Sequence, residues 1–586
     1  MHGHSSIVMN KLWNIFVFGL ILLSSCSSRP KKEFEFAGGI IRLAIDNEPS
    51  SYIPRNISDY YSATVLSQIM EGLVSIDPQT LKVQPQIASH WKISDDGLIY
   101  EFTIRKDILF HPNAVFSGIE DRRLTTKDIE ATFKRICSKE EKGDVSHAYN
   151  FLFKDLLKGS AEFMNGYSKT ISGLKITSSK VVLTLLKKDD NFLNKLSNVC
   201  AAISSRKIIL ENLENDMIGT GPFLFSEFKD GPPKSVVLAK NTDYYMKDKD
   251  GNSLPYLDNI EIIFENRKLE QLDLFESHST DLIIGLPTSR ITKMLEGRIE
   301  DFNSQPPLMI MYDNPLLVTQ YYFFNMTEPR FKDPRVRQAF NYAIDREKIG
   351  REVLRNQYNE LGYYGMVPPI TSIFKGYNFE SIKEVSYTFD PEKAKKLLAD
   401  AGFPNGQGFG SVNLRFNIDE THSAIADEFA QQIFQNLNIN VNIDGSSFEQ
   451  KDTDASMSRG DIFRGAWYGD YANPETFLQN FYGKSVPSDL SYPSEVNQAR
   501  YVNPLFDHLF ETACNSERRP EAMENYGKAE RVLMQDPPII PLWYAGDIQI
   551  VYSNIRNLHF NALNMFIFRK VYKKDWTKEE YTKATN

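Results

Sequence analysis

The sequence contains little cysteine and histidine, has no excess of positive charge and lacks the common catalytic motifs. Its 586 residues include 4 Cys and 9 His, and the formal net charge is -9 at pH 7. No HExxH, CxxC or GxSxG motif occurs, which counts against a metal centre, a redox site and an envelope hydrolase. The acidic charge balance removes the attraction that dominates nucleic-acid binding. We therefore expect a protein that is not an enzyme and that uses no cofactor, metal or nucleic acid.

Long hydrophobic runs are scarce, and the informative one lies at the amino terminus. Lys11 precedes an apolar run over residues 12–23, which is too short to span a bilayer, and small residues then lead to Cys26. This arrangement is typical of a secretory signal and resembles a bacterial lipobox, whose cysteine is diacylated and becomes the mature amino terminus. We expect residues 1–25 to be a signal peptide and residues 26–36 a lipid-anchored tether on the periplasmic or extracellular face of the cell envelope.

Two features of the sequence stay open. Met1 and Met9 are both candidate start residues, and an uncleaved signal anchor is the alternative to cleavage. The other cysteines, Cys137, Cys200 and Cys514, lie far apart in the sequence. Outside the cytosol two of them could pair, which would leave one free.

What the sequence does contain is the composition of a soluble globular protein, with 41% hydrophobic and 24% charged residues. The length exceeds what one hydrophobic core holds, so we expect several compact units. Apolar spacing and capping residues predict strands at residues 40–45, 98–105, 412–418 and 439–443, and helices at residues 63–73 and 425–437, after Thr125, and at Asp333-Pro334 and Asp390-Pro391. Strands that alternate with helices predict α/β lobes.

A charged and aromatic segment in the last third is the strongest candidate for a binding site. It begins at Arg464, continues through Trp467 and Tyr468, and reaches Asp470 six residues later. Opposite charges separated by small residues and two aromatic rings suit a concave wall that contacts a ligand with both an amine and a carboxylate. The alternative is that Arg464 and Asp470 form a surface pair and that Trp467 belongs to the core.

These and other segments resemble the extracellular solute-binding protein family 5, the peptide- and nickel-type receptors of ATP-binding cassette importers. The resemblance covers nearly all of the mature chain and includes Gly219-Thr220-Gly221-Pro222-Phe223 and Asp333-Pro334-Arg335-Val336-Arg337. The matching segments follow one another in family order at residues 70–78, 88–100, 102–111, 124–128, 219–223, 241–245, 255–258, 324–339, 390–394 and 538–542.

The resemblance implies a two-lobed α/β fold of the type II periplasmic-binding-protein kind, with an extra subdomain inserted in the first lobe. The implied first lobe consists of residues 37–74, 205–305 and 525–586. The inserted subdomain covers residues 75–204, and the second lobe covers residues 306–524.

The resemblance also implies roles for individual residues. Asp470 matches an Asp that holds the ligand amine, and Arg464 matches an Arg near the ligand carboxylate in oligopeptide binders. Trp467 and its neighbour Tyr468 would form the wall of a side-chain pocket. The segment with Asp59 and Tyr60 corresponds to backbone that pairs with the ligand, and Tyr149 to a tyrosine of the cleft.

The implied function is that of the substrate-binding lipoprotein of an ABC importer, a monomer that captures extended oligopeptides and delivers them to permease subunits in the membrane. One alternative keeps the fold and changes the cargo to a nickel chelate, an oligosaccharide or another small solute. A further alternative is a peptide sensor without its own permease, which the sequence does not distinguish.

Overall fold

The computed structural model describes residues 34–140, 144–287, 290–516 and 518–585. The predicted signal peptide, the lipidation of Cys26 and most of the tether lie outside the described residues. Within the described residues, no helix combines the length and the apolar character needed to cross a membrane. Cys137 and Cys200 are buried, Cys514 is partly exposed, and none of the three is in a disulfide.

The strands are, in chain order, β1 (Ile40–Ile45), β2 (Val74–Ile76), β3 (Val83–Pro85), β4 (Ala88–Ile93), β5 (Ile99–Ile104), β6 (Leu174–Ile176), β7 (Lys180–Thr184), β8 (Phe223–Lys229), β9 (Lys234–Lys240), β10 (Asn259–Phe264), β11 (Leu282–Ile284), β12 (Met309–Phe324), β13 (Glu360–Leu361), β14 (Val412–Asn417), β15 (Val441–Ser446), β16 (Ile462–Tyr468), β17 (Ile539–Tyr552), β18 (Ile555–Arg556) and β19 (Tyr572–Lys573).

The α-helices cover Tyr60–Leu66, Thr126–Ile136, Ser160–Met164, Phe192–Leu196, Arg206–Leu210, Lys268–Glu276, Ile291–Gly297, Ile299–Asn303, Pro334–Tyr342, Arg346–Lys348, Phe379–Lys383, Pro391–Asp400, Glu420–Leu437, Phe448–Ser456, Glu475–Leu478, Pro504–Cys514, Arg519–Gln535 and Lys578–Thr585.

Capping residues mark the helix starts that the sequence predicted. Asp333 and Asp390 each accept a backbone N–H of the first turn and are followed by proline, whose fixed φ suits the first helical position. Thr125 and Asp128 form a capping box, with Asp128 Oδ2 accepting from the Thr125 N–H at 2.8 Å. These predictions are confirmed. The helix predicted over residues 63–73 instead runs from Tyr60 to Leu66, because Asp59 caps it.

Two long strands connect the lobes of an eleven-stranded sheet with the order β15-β14-β16-β12-β17-β11-β1-β10-β9-β8, in which β13 also pairs with β17. The first half of β12 pairs with the second half of β17, beside β11, and the second half of β12 lies between β16 and β17. The pairing is interrupted between Pro315 and Thr319 of β12. The chain thus changes lobes inside these strands, whereas the sequence placed the boundaries at residues 306 and 525.

Separate hydrophobic cores define the lobes and the inserted subdomain. The first lobe packs around Leu43, Leu238 and Ile262, and the second lobe has two cores, around Phe477 and around Phe340. The inserted subdomain forms its own core on the four-stranded sheet β4-β5-β7-β6. The helix Arg519–Gln535 packs in the core around Phe477, so residues that the sequence assigned to the first lobe lie in the second.

Candidate ligand-binding cleft

A cleft of about 3420 Å³ opens between the first lobe, its inserted subdomain and the second lobe. It is several times larger than the 300–1,000 Å³ typical of a small-molecule site. Its wall contains residues of the loop before the helix Tyr60–Leu66, of the inserted subdomain and of β16, together with residues of the turn after β16. The volume therefore suits a ligand larger than a single metabolite.

Strand β16 and the turn after it carry the predicted charged segment into the cleft wall. β16 pairs antiparallel with the crossing strand β12, with Tyr322 opposite Arg464 and Val318 opposite Tyr468. The Gly469 N–H donates to the Leu317 carbonyl at 2.7 Å, which fixes the turn against the point where β12 changes lobes. The segment is thus held where movement of one lobe against the other would open or close it.

Arg464 is a buried cation that forms no salt bridge with a described residue, although the charge of Asp419 acts on it. Only 9% of the residue is exposed, yet it lines the cleft. Its Nη2 donates to Gln320 Oε1 at 2.6 Å and its Nη1 to Asn417 Oδ1 at 3.2 Å, while its buried Nε has no hydrogen-bond partner. Burial lowers the pKa of this guanidinium. Because its partners are neutral amides, Arg464 can accept an anionic group from a ligand.

Asp470 is the carboxylate at the other end of the segment. It lines the cleft, is partly exposed there, and makes no ion pair with a described residue. Its Oδ2 accepts from the Thr476 hydroxyl at 2.8 Å, and its own N–H donates to the Thr476 Oγ1 at 3.1 Å. Burial raises the pKa of Asp470 to about 6. A carboxylate held in this way is suited to bind an ammonium group.

The two aromatic residues of the segment both line the cleft, but their packing differs. Trp467 packs partly against the second-lobe core, and its Nε1–H donates to Thr476 Oγ1 at 3.3 Å. Tyr468 is 51% exposed and stacks on Tyr60 of the first lobe, with ring centroids 6.4 Å apart. Thr476 therefore ties Trp467 to Asp470, and Tyr468 brings the two lobes into contact.

The predicted first-lobe residues Asp59 and Tyr60 also line the cleft. Asp59 caps the helix that starts at Tyr60, with its Oδ1 accepting the Ser62 N–H at 2.8 Å, so its side chain has a structural role. The structure brings both residues to the same cleft as Arg464 and Asp470.

Tyr149 lies elsewhere. Only 2% of the residue is exposed, and it packs in the core of the inserted subdomain with Cys137 and Leu152. It begins a π-helical turn at Tyr149–Phe153 and is not among the residues of the cleft wall. The apolar segment around it supplies core residues, which corrects the assignment of Tyr149 to the cleft.

Several charged residues of the cleft had no signal in the sequence. They come from the inserted subdomain, from the helix after Asp470, from the second lobe and from β17: Lys195, Glu475, Lys451 and Asp547. Lys451 is 4% exposed, its Nζ lies 3.7 Å from Asp452 Oδ1, and burial lowers its pKa to about 8. The folding of the chain brings each of these residues to the cleft, and only Glu475 lies next to the charged segment in the sequence.

The chemistry available in the cleft is recognition of charge and of apolar side chains. No cluster of three or more His, Cys, Asp and Glu side chains within residues 34–140, 144–287, 290–516 and 518–585 is arranged to hold a metal ion. A cation and an anion that form no ion pair with a described residue lie in one wall, with aromatic rings between them. Two lobes joined by crossing strands around such a cleft define a two-lobed solute-binding protein of the type II periplasmic-binding-protein class.

Residues 82–489 match the family described as bacterial extracellular solute-binding proteins, family 5 Middle, and the chain belongs to this family. Members are binding proteins of the periplasm or the cell exterior, so at the family level the chain is a binding protein and not an enzyme.

Two relatives match most of the chain. Heme-binding protein A of Haemophilus influenzae is 26% identical over 509 residues, which cover 84% of this chain and 85% of the relative. The oligopeptide-binding protein OppA of Bacillus subtilis is 23% identical over 584 residues, which cover 97% of this chain and 100% of the relative.

Solved structures show the same fold. DppA from Helicobacter pylori, in complex with the peptide STSA, has a TM-score of 0.76 at 22% identity and covers 92% of this chain and 99% of that protein. The murein tripeptide binding protein MppA of Escherichia coli has a TM-score of 0.74 at 22% identity and covers 93% of this chain and 100% of that protein.

Proposed function

We propose that this protein is the peptide-capturing lipoprotein of an ABC importer. The main support is that Asp470 and Arg464 open on one cleft as opposite charges, and neither makes an ion pair with a described residue. Family relatives named as oligopeptide- and dipeptide-binding proteins agree with this proposal. A peptide with free termini supplies the two missing charges in one molecule.

The amino terminus of the peptide binds at Asp470. The Thr476 hydroxyl already donates to one carboxylate oxygen, so the carboxylate is oriented before the ligand arrives. An ammonium group adds a charge-assisted hydrogen bond and offsets the burial of the carboxylate. Loss of this charge should weaken binding about a hundredfold, which corresponds to about 2.7 kcal/mol.

The carboxylate end of the peptide binds towards Arg464. Two side-chain amides, from Gln320 and Asn417, hold the guanidinium in place without neutralising it. A planar guanidinium can bind a carboxylate through two parallel hydrogen bonds. Arg464 therefore contributes to affinity and to the direction in which the peptide lies.

Between its ends the peptide lies extended. Its N–H and C=O groups must find partners when the cleft closes, and we propose that the backbone around Asp59 and Tyr60, which line the cleft, pairs with them. Backbone pairing ignores side-chain identity. The volume of about 3420 Å³ leaves room for side chains and water, so we propose a receptor that accepts many peptide sequences.

The protein works as a monomer attached to the membrane by acyl chains on Cys26. The permease subunits of the importer are its partners, and cleft closure around the peptide is the signal for delivery. Ligand shifts the equilibrium towards the closed state through contacts that exist only in that state.

Calorimetry with tetra-alanine, N-acetyl-tetra-alanine and tetra-alanine amide tests this function on the purified mature protein. We expect tetra-alanine to bind, the acetylated peptide to lose about a hundredfold, and Asp470→Asn to bind both peptides equally weakly. Glu392→Gln, a surface substitution in the helix Pro391–Asp400, is the control and should behave as wild type. Hemin serves as a competing ligand, because one relative is named as a heme-binding protein. Tight hemin binding without peptide binding would contradict the proposal.

A further inference from the structure

A second carboxylate that forms no ion pair within the described part of the chain lies in the cleft, on the crossing strand β17. Asp547 lines the cleft wall and is partly exposed. Its side chain accepts one hydrogen bond from the described residues, and this bond is long, at 3.4 Å from Asn564 Nδ2 to Asp547 Oδ2. Burial raises its pKa to about 6, and the charge of Lys268 only partly offsets this effect.

Lys268, the cation whose charge acts on Asp547, is already bound to other groups. Lys268 Nζ donates to Asp46 Oδ1 at 2.6 Å, to Gln271 Oε1 at 3.1 Å and to the Ile284 carbonyl at 2.9 Å. An ammonium has three N–H donors, so these three bonds use all of them. Lys268 therefore neutralises Asp46 and leaves Asp547 without a direct partner.

A buried hydroxyl and aromatic rings lie beside this carboxylate. Burial raises the pKa of the Tyr60 hydroxyl and the Thr64 side chain partly offsets this, but the hydroxyl makes no well-formed hydrogen bond with a described residue. Its ring stacks on that of Tyr468 at 6.4 Å, with an interplanar angle of 20°, and meets that of Tyr61 edge to face at 5.5 Å. Burial raises the pKa of both Tyr60 and Tyr468, and the charge of Asp547 raises both further, which places this charge close to both phenols. All three rings line the cleft.

These features together fit a cation on a flexible stem. A carboxylate supplies the opposite charge, the Tyr60 oxygen can accept a hydrogen bond, and tyrosine rings attract cations to their faces and cover an aliphatic stem. An anionic or purely apolar group would leave the carboxylate and the hydroxyl unsatisfied. The peptide amino terminus is assigned to Asp470, so the charge that Asp547 receives comes from a different part of the ligand.

We propose that Asp547, Tyr60 and Tyr468 form a subsite for a lysine or arginine side chain of the bound peptide. This inference rests on the proposed peptide-binding function and adds a preference for basic peptides to it. A metal ion requires several oxygen ligands around it, whereas this subsite offers a single carboxylate with aromatic neighbours. The subsite therefore differs from a metal-ion site.

The test uses tetra-alanine and four derivatives, each with one lysine at a successive position, and four matched peptides with norleucine at the same positions. Norleucine keeps the aliphatic stem and lacks the charge. By calorimetry at pH 7.5 we expect lysine to bind the wild-type protein about tenfold more tightly than norleucine at one position.

Asp547→Asn should reduce this ratio to about one, and Tyr60→Phe should reduce it severalfold. The matched control is Asp144→Asn, which removes an exposed carboxylate from another part of the cleft wall and should leave the ratio unchanged.

A ratio that is the same in the wild type and Asp547→Asn at every position would overturn the subsite. If Asp547→Asn and Asp144→Asn reduce the lysine preference equally, the preference comes from the general charge of the cleft, and the subsite is also overturned. Binding of tetra-alanine with no lysine preference overturns the subsite alone, whereas failure of all nine peptides to bind overturns the proposed function.

Discussion

The ammonium of Lys195, in the inserted subdomain, lies 3.5 Å from Oε1 of Glu475 in the second lobe. Asp189 holds the same ammonium at 2.8 Å, and the Asn191 side chain donates to the other oxygen of Glu475. The side chains of Lys195 and Glu475 are only 12% and 13% exposed. This ion pair joins the two sides of the cleft one residue away from Thr476, which orients Asp470.

Loss of the pair should destabilise the closed state. Because it is mostly buried and spans the cleft, we expect Lys195→Met to raise the dissociation rate of bound peptide by roughly five- to thirtyfold, or about 1–2 kcal/mol. Stopped-flow kinetics measure the rate, and small-angle scattering measures the compaction. Lys180→Met is the matched control, because it breaks the 2.7 Å pair with Glu101 inside the subdomain. Equal dissociation rates in the two variants would exclude a role for the pair in closure.

Peptide affinity should depend on pH through Asp470. In the ligand-free protein this carboxyl has a pKa of about 6, so it holds a proton below that pH. Binding an ammonium requires the charged carboxylate, and complex formation must therefore release the proton. We expect affinity to be highest near pH 7.5 and to fall about tenfold per pH unit below pH 6. Calorimetry from pH 5 to 8 measures this, and a profile in Asp470→Asn as steep as in the wild type would contradict it.

Thr476 should act on the ligand mainly through Asp470, although its Oγ1 also accepts from the Trp467 Nε1–H at 3.3 Å. Its hydroxyl donates to Asp470 Oδ2 at 2.8 Å, so Thr476→Val leaves the volume nearly unchanged and releases the carboxylate. We expect a loss of affinity for tetra-alanine of about 1–2 kcal/mol. Thr476→Ser keeps the hydroxyl and should retain most of the affinity. If Thr476→Val binds tetra-alanine as tightly as Thr476→Ser, the hydrogen bond to Asp470 is not responsible.

The stability of the ligand-free protein should fall as pH rises, partly because of Glu530. This carboxyl is fully buried, accepts from the Val367 N–H at 2.8 Å, and has a pKa raised by burial to about 7. The folded state keeps a proton that the unfolded state loses near pH 4.3, so this contribution is complete below that pH and disappears as pH approaches 7. Between pH 5 and 7.5 we expect the wild type to lose about 2–3 kcal/mol more than Glu530→Gln in denaturant unfolding. If the wild type and Glu530→Gln lose the same unfolding free energy between pH 5 and 7.5, the prediction is wrong.

Local signals made much of the fold predictable from the sequence. Asp333 and Asp390 act on helix ends a few residues away, and the alternating pattern of β5 reflects one buried face. The point of lobe exchange at Pro315 to Thr319 has no such signal, because it depends on pairing between strands more than 200 residues apart.

The residues of the cleft could likewise be predicted from the sequence only where they are close together in the chain. Arg464 and Asp470 could be predicted together because one strand and one turn carry both. Lys195 and Asp547 join them only after the inserted subdomain and β17 are in place, and no spacing rule links such distant positions. Tyr149 shows the opposite case, since an aromatic residue in an apolar segment fills a core as readily as it lines a cleft.

The position of β17 also determines when this protein can fold. The strand begins at residue 539 of 586 and pairs with β12 in both lobes, and on its other side with β11 of the first lobe. A nascent chain, or one threaded through a translocation pore, lacks this strand until nearly all of it has emerged. The sheet that joins the two lobes therefore cannot be completed before then, whereas the inserted subdomain has its own core within residues 73–218 and its own sheet, and does not depend on this strand.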